Sequence, residues 1–204
     1  DSLGVPVAPF PRWLRCPVCG LLAPIEHGIF QLQVDRYRPD RTAYVHEGCP
    51  RSNSRRGPHA FPARYLMACP DGHIDDFPWV EYLHGPLDCR GTLRMREFGE
   101  GGRAGDVQVS CDTCGRRRRL AQAFGEQAPT FLPPRCRGRH PHLGTTEECK
   151  QPPVTLLLGA SNTWFPVKSS ALSIPSEAGR LGALVDAAWG VLGALPDGSG
   201  PDML

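Results

Sequence analysis

Apolar residues in this chain come in short runs broken by glycine, proline and charge, a pattern that predicts short strands and few helices. An extended opening from Val5 to Pro11 leads into Phe10-Pro11-Arg12-Trp13-Leu14. Residues 29–34 and 42–46 are expected as strands bracketing a turn at Pro39-Asp40, and Arg51 to Pro58 as a polar, basic loop. Residues 62–69 read as a strand ending in Cys69. Asp75-Asp76-Phe77-Pro78 then reads as an Asp cap with Pro in the first turn of a helix that ends near His84, before Gly85-Pro86. Residues 91–98 and 106–110 are expected as strands joined by a flexible Gly99 to Gly105, and Val154 to Leu158 as a further strand. From Ser176 to about Leu195 runs a Leu/Ala/Val-rich helix whose apolar positions cover most of its circumference, which predicts burial against something larger.

Composition says what replaces the missing long elements. Gly 23 and Pro 22 together exceed a fifth of the 204 residues, leaving little regular structure with which to build a large core. Cysteine fills the gap: the 9 cysteines and three of the 7 histidines divide without remainder into three sets of four metal ligands. Cys16-Pro17-Val18-Cys19 and Cys111-Asp112-Thr113-Cys114 are CxxC knuckles, each able to offer two tetrahedral vertices to a Zn²⁺ ion. Taken in chain order, the first quartet is Cys16, Cys19, His46 and Cys49, the second Cys69, His73, His84 and Cys89, and the third, all thiolate, Cys111, Cys114, Cys136 and Cys149. Cys69 could instead complete the first quartet, leaving His46 on the surface and Cys89 as a small buried hydrophobe. The odd cysteine count and the CxxC spacing favour a reducing compartment over disulfides. No run of eighteen apolar residues spans a membrane, and a cytoplasmic location is expected.

The expected fold class is α+β: small zinc-ribbon-like modules with short strands, few helices and high loop content. Residues 1–102 would carry the first two sites, 103–153 a basic four-cysteine module, and 154–204 a strand and the C-terminal helix, packing on a larger missing part or a partner.

Net charge is only +2, but 21 of the 23 basic residues are Arg, and residues 103–150 hold nine basic against five acidic groups. Arg116, Arg117, Arg118 and Arg119 follow the second knuckle, and Arg135, Arg137 and Arg139 surround Cys136. Guanidinium forks on rigid loops suit phosphate oxygens, so these seven are the candidate contacts to a DNA backbone; a solvated face is the competing reading. HExxH and GxxxxGK[ST] motifs are absent, and Gly159-Ala160-Ser161-Asn162-Thr163 lacks the second glycine of a nucleophile elbow. Asp75 and Asp76 near a metal leave a hydrolytic zinc conceivable, but four protein ligands close the vertex a catalytic zinc keeps for water.

Three strings together resemble a known family. Phe10-Pro11-Arg12-Trp13 precedes Cys16-Pro17-x-Cys19-Gly20; Ala68-Cys69-x-x-Gly72-His73-Ile74-Asp75-Asp76-Phe77-Pro78-Trp79 is followed by His84; Gly159-Ala160-Ser161-Asn162 precedes Ser169-Ser170-x-Leu172-Ser173-Ile174-Pro175. In this order they resemble the DrmB proteins of the DISARM anti-phage defence system. Members are much longer, so the resemblance implies an N-terminal part of such a protein. It further implies a non-catalytic subunit that braces a helicase partner resembling DrmA and helps hold DNA. A zinc-dependent nuclease and a pure protein-interaction module are the alternatives.

Overall fold

The computed structural model describes residues 7–98, 104–160 and 176–194. The chain forms two compact units, residues 1–164 and 165–204. Among its described residues the first unit is a set of small antiparallel sheets with one short α-helix and several 3-10 turns, so the α+β, zinc-ribbon-like class holds.

Its largest sheet has six antiparallel strands in the order β10-β9-β8-β2-β1-β5: β1 (Trp13–Arg15), β2 (Leu21–Pro24), β5 (Phe61–Pro62), β8 (Leu93–Glu97), β9 (Val107–Cys111) and β10 (Arg117–Arg119). Alternation fixes its register: Leu93 and Met95 on β8 and Val107, Val109 and Cys111 on β9 are buried while the residues between them are not. A second sheet, β13-β6-β7, sets β6 (Tyr65–Ala68) between β7 (Ile74–Asp76) and β13 (Val154–Leu157). Two hairpins complete the unit, β3 (Gln31–Gln33) with β4 (Ala43–Val45) and β11 (Arg139–His140) with β12 (Thr145–Thr146). The expected division after residue 102 falls between β8 and β9, which pair along five residues.

Helix α1 (Trp79–His84) has only six residues and would not persist alone. Packing holds it: Trp79, Tyr82 and Leu83 are almost fully buried in one cluster with Leu22, Met95, Val107 and Val109. Full burial of side chains of this size contributes roughly 1.5–3 kcal/mol each. Phe77 packs on Trp79 at 4.5 Å and on Tyr82 at 5.1 Å between ring centroids, and the Tyr82 hydroxyl donates to the Arg119 carbonyl at 2.6 Å.

The expected Asp cap is corrected. Asp75 and Asp76 lie in β7, and Pro78 occupies the N-cap position of α1 without a side-chain cap. Both aspartates are buried and spend their oxygens on arginines instead. Asp76 accepts from the Arg12 backbone N–H at 2.7 Å and from its Nε at 3.0 Å, and Arg139 reaches Asp75 at 2.8 Å and Asp76 at 3.3 Å.

In the second unit, α2 spans Ser176–Leu192, within the expected helix. Leu181, Leu184, Trp189 and Val191 are exposed on it. Residues 161–175, including Ser169 to Pro175, and most of the Gly99 to Gly105 link lie outside the described residues.

Candidate metal centres

Five regular elements of the first unit end at or just before a potential ligand. β1 stops at Arg15 before Cys16, β4 at Val45 before His46 and β6 at Ala68 before Cys69, while α1 ends in His84 and β9 in Cys111. A local fold repeats at three of these points. At the first knuckle the Gly20 N–H donates to the Cys16 carbonyl at 2.9 Å and Cys16 N–H to the Leu21 carbonyl at 2.8 Å. At the second, Gly115 N–H donates to the Cys111 carbonyl at 3.1 Å and Cys111 N–H to the Arg116 carbonyl at 3.0 Å. Cys69, Gly72 and His73 make the same turn one residue tighter, at 3.0 and 3.2 Å. Each turn needs a residue at positive φ, and glycine supplies it: Gly20 at 75°, Gly115 at 70° and Gly72 at 85°.

These elements gather twelve side chains into three quartets, with the four ligand atoms of each within 4.8 Å of one another: Cys16, Cys19, His46 and Cys49; Cys69, His73, Cys136 and Cys149; His84, Cys89, Cys111 and Cys114. The first is the quartet expected from spacing, His46 included. The other two correct the expectation. Cys69 and His73 join Cys136 and Cys149, not His84 and Cys89, and Cys111 and Cys114 join His84 and Cys89, not Cys136 and Cys149. The cause is β13, which pairs with β6 from Val154↔Ala68 to Leu157↔Tyr65 and so carries Cys149 to Cys69. The all-thiolate and two-histidine sets are thereby replaced, and all three quartets are Cys₃His.

Their geometry fits a tetrahedral ion. Zn–S arms of about 2.3 Å and Zn–N arms of about 2.0–2.1 Å imply edges of about 3.8 Å between sulfurs and about 3.6 Å between sulfur and nitrogen. The sulfurs of Cys16 and Cys49 stand 3.8 Å apart, those of Cys69 and Cys149 3.9 Å, and those of Cys89 and Cys111 3.7 Å. Cys19 Sγ is 3.5 Å from His46 Nδ1, and Cys69 Sγ 3.3 Å from His73 Nδ1. His84 adds an independent sign: it is fully buried, and neither ring nitrogen has a hydrogen-bond partner. A buried imidazole in that state is costly unless an ion takes up one nitrogen.

Electrostatics points the same way. Burial pushes the Cys16 and Cys136 thiols up to about 11. Burial also opposes ionisation of Cys111, but the backbone N–H groups of Cys114 and Thr113, with the His84 ring beside them, bring it down to about 6. Within each quartet one thiol is raised and another lowered, Cys16 against Cys49, Cys136 against Cys69 and Cys89 against Cys111, because thiolates this close repel one another until a cation joins them. Burial and the Arg94 charge lower the pKa of His46, which favours the neutral imidazole a metal requires. His73 offers Nδ1 to its quartet while Nε2 meets the Glu147 carboxylate at 2.6 Å, the carboxylate–histidine arrangement that orients a metal-bound ring. His140 also reaches Glu147, at 3.3 Å, and the His73, His140 and Glu147 group supports this centre from outside. Glu147 is the residue sequence reading missed; its place became visible only when β11–β12 folded over β7.

The seven arginines flank two different quartets. Arg116–Arg119 follow the quartet containing Cys114, whereas Arg135, Arg137 and Arg139 bracket Cys136 of another. Four of them are engaged within the fold. Arg116 donates to the His84 carbonyl at 3.0 Å, and the Arg118 guanidinium lies 3.9 Å from the Phe131 ring centroid. Arg137 pairs with Glu81 at 2.6 Å, and Arg139 with Asp75 and Asp76. Arg117, Arg119 and Arg135 are exposed, and among the described residues their guanidinium groups have no ion pair.

Among the described residues no helix is long and apolar enough to cross a membrane. Compared with known proteins, the chain is similar to the DISARM protein DrmB of Bacillus paralicheniformis (strain ATCC 9945a / NCIMB 11709 / CD-2), with 38% identity over 122 residues. That stretch is 58% of this chain and 21% of the relative, so the chain spans about a fifth of the length of the curated protein it matches. Over the matched stretch it is DrmB-like. Residues 1–165 match the model of a domain of unknown function, DUF8724, and the chain belongs to that family.

Proposed function

We propose that this protein is a non-catalytic, zinc-stabilised subunit of a bacterial DISARM-type anti-phage defence complex. In this reading it braces a DNA helicase or translocase partner and contributes to holding DNA. The observation that carries it is the 38% identity to a DISARM DrmB protein. Three Cys₃His quartets support a structural role: each offers four protein ligands, a full tetrahedral shell with no vertex left for an activated water. The aspartates that could have served a hydrolytic zinc are bound to Arg12, Arg137 and Arg139, which supports the same reading.

A phage challenge of cells carrying the complete defence system tests it. Cys→Ser changes at one ligand of each quartet should abolish protection, lower zinc content and stop the helicase subunit from co-purifying. Protection by a variant that no longer retains its partner would overturn the scaffold role. Metal-dependent DNA cleavage by the purified protein alone would favour a nuclease.

A further inference from the structure

Four of the seven guanidinium groups of the expected DNA patch are occupied, and three further uncommitted ones collect at another place in the fold. The β3–β4 hairpin is rooted in the first quartet, because β4 runs directly into His46. Residues 58–60 fold back along it: His46 N–H donates to the Pro58 carbonyl at 2.9 Å and Ala60 N–H to the Tyr44 carbonyl at 2.8 Å. Gly57 makes this close return possible, since a Cβ there would collide with the His46 carbonyl. Between the hairpin tip and this returning segment lies an open cleft of about 790 Å³. Arg36, Arg41 and Arg56 line it with His59; all four are exposed, and among the described residues none is in an ion pair. Tyr37, on the same wall, is 96% exposed.

The acidic residues of the cleft are Asp35 and Asp40. Asp35 is used to shape the turn, accepting from the Tyr37 and Arg38 backbone N–H groups at 3.0 and 2.9 Å, and Asp40 pairs with Arg38 at 3.3 Å. The cleft therefore presents one aromatic ring among three free guanidinium groups, on a base stapled by a metal quartet. Sequence-tolerant single-strand sites combine these parts: cations that follow the phosphates and an aromatic ring on which a base stacks.

We propose that this cleft binds single-stranded DNA, with Arg36, Arg41 and Arg56 on successive phosphates and one base stacked on Tyr37. The proposal rests on the reading that the chain contributes to DNA binding, and it places that contact away from Arg116–Arg119 and Arg135–Arg139.

The test is fluorescence anisotropy of an oligothymidylate with the zinc-loaded full-length protein across a salt series. Tyr37→Ala should weaken binding about tenfold, and Tyr37→Phe should restore it, since stacking needs the ring and not the hydroxyl. Arg36→Ala/Arg41→Ala/Arg56→Ala should lower the slope of log affinity against log salt by about 2, three contacts at about 0.7 each. These side chains are exposed and unpaired, so zinc content should be unchanged. If both variants bind as the parent does while Arg117→Ala/Arg119→Ala weakens binding, the cleft proposal falls and the broader reading stands. If the parent protein binds neither single-stranded nor duplex DNA at low salt, both fall. Duplex binding equal to single-strand binding, indifferent to Tyr37→Ala, would also overturn the proposal.

Discussion

The first quartet and the other two are chemically alike and topologically opposite. Cys16, Cys19, His46 and Cys49 close within one stretch of chain, all four buried, around a small core of their own that includes Leu14, Leu21 and Phe30. The remaining two are nested: Cys69 and His73 wait for Cys136 and Cys149, and the whole of the His84, Cys89, Cys111 and Cys114 quartet lies in the loop between them. The local site organises a hairpin and its turn, whereas the nested pair holds the ends of the main core together. Losing one ligand should therefore have very different reach in the two regions.

Removing every metal is the largest perturbation. Structural zinc supplies roughly 10–16 kcal/mol of apparent binding free energy, as large as the whole folding margin of an ordinary domain, about 5–15 kcal/mol. A strong chelator should abolish the near-UV circular dichroism of the buried Trp79 and Tyr82, whereas a reductant without chelator should leave it. Melting by reductant alone would mean that disulfides hold the fold.

Single-ligand changes probe the comparison itself. Cys149→Ser should lower zinc content by one and expose amides of β6, β7 and β13 to hydrogen exchange, with loss of protection spreading into α1. Cys49→Ser should also lose one zinc but confine the new exchange to β3, β4 and residues 46–60. Equal spread from both variants would erase the distinction between local and nested sites.

The same topology decides how much could be read from sequence. Ligand identity was legible: all twelve positions follow from CxxC, HxxC, CxxxH and HxxxxC spacing and the need to leave no cysteine over. Their partition was legible only where it was local. Nearest-in-sequence pairing succeeds for Cys16 to Cys49 and fails for the nested quartets, because the deciding contact, β6 with β13, joins residues nearly ninety positions apart. Strands with apolar alternation, such as 106–110, were readable. β1, β2, β7 and β10 were not, because they are three or four residues long and flank the knuckles or the Asp75-Asp76 pair. The aspartates misled for a specific reason: Asp-Asp-Phe-Pro is a fair cap signal, yet burial beside Arg12 and Arg139 captures both carboxylates first.

That capture ties the two regions. Arg12 stands just before β1 and its local quartet, and Asp76 ends β7 in the nested half. Asp76→Asn keeps an acceptor for the Arg12 backbone N–H but removes the charge facing two guanidinium groups. With Arg12 39% exposed and able to turn to water, the expected loss is about 1–3 kcal/mol. Thermal or urea unfolding would read it, with zinc content unchanged. A variant as stable as the parent would show that β1 and β7 are held by the cores alone.

The smallest effect should come from Glu147→Gln, which separates a ligand from the group that orients it. The Glu147 carboxylate accepts from His73 Nε2 at 2.6 Å while Nδ1 faces Cys69, and this contact raises the His73 pKa, with the Cys69 contact adding to it. Glutamine can still accept through its carbonyl oxygen, so the ring keeps its orientation and loses only the electrostatic help. Partners of this kind are worth 10- to 100-fold in metal affinity, and because Glu147 is 61% exposed the lower end, about tenfold, is expected. Competition with a chromophoric chelator should show one zinc released about tenfold more readily and the other two as in the parent. Release of all three together would mean that the quartets do not bind independently. No change would mean that Cys69, Cys136 and Cys149 fix His73 without help from outside.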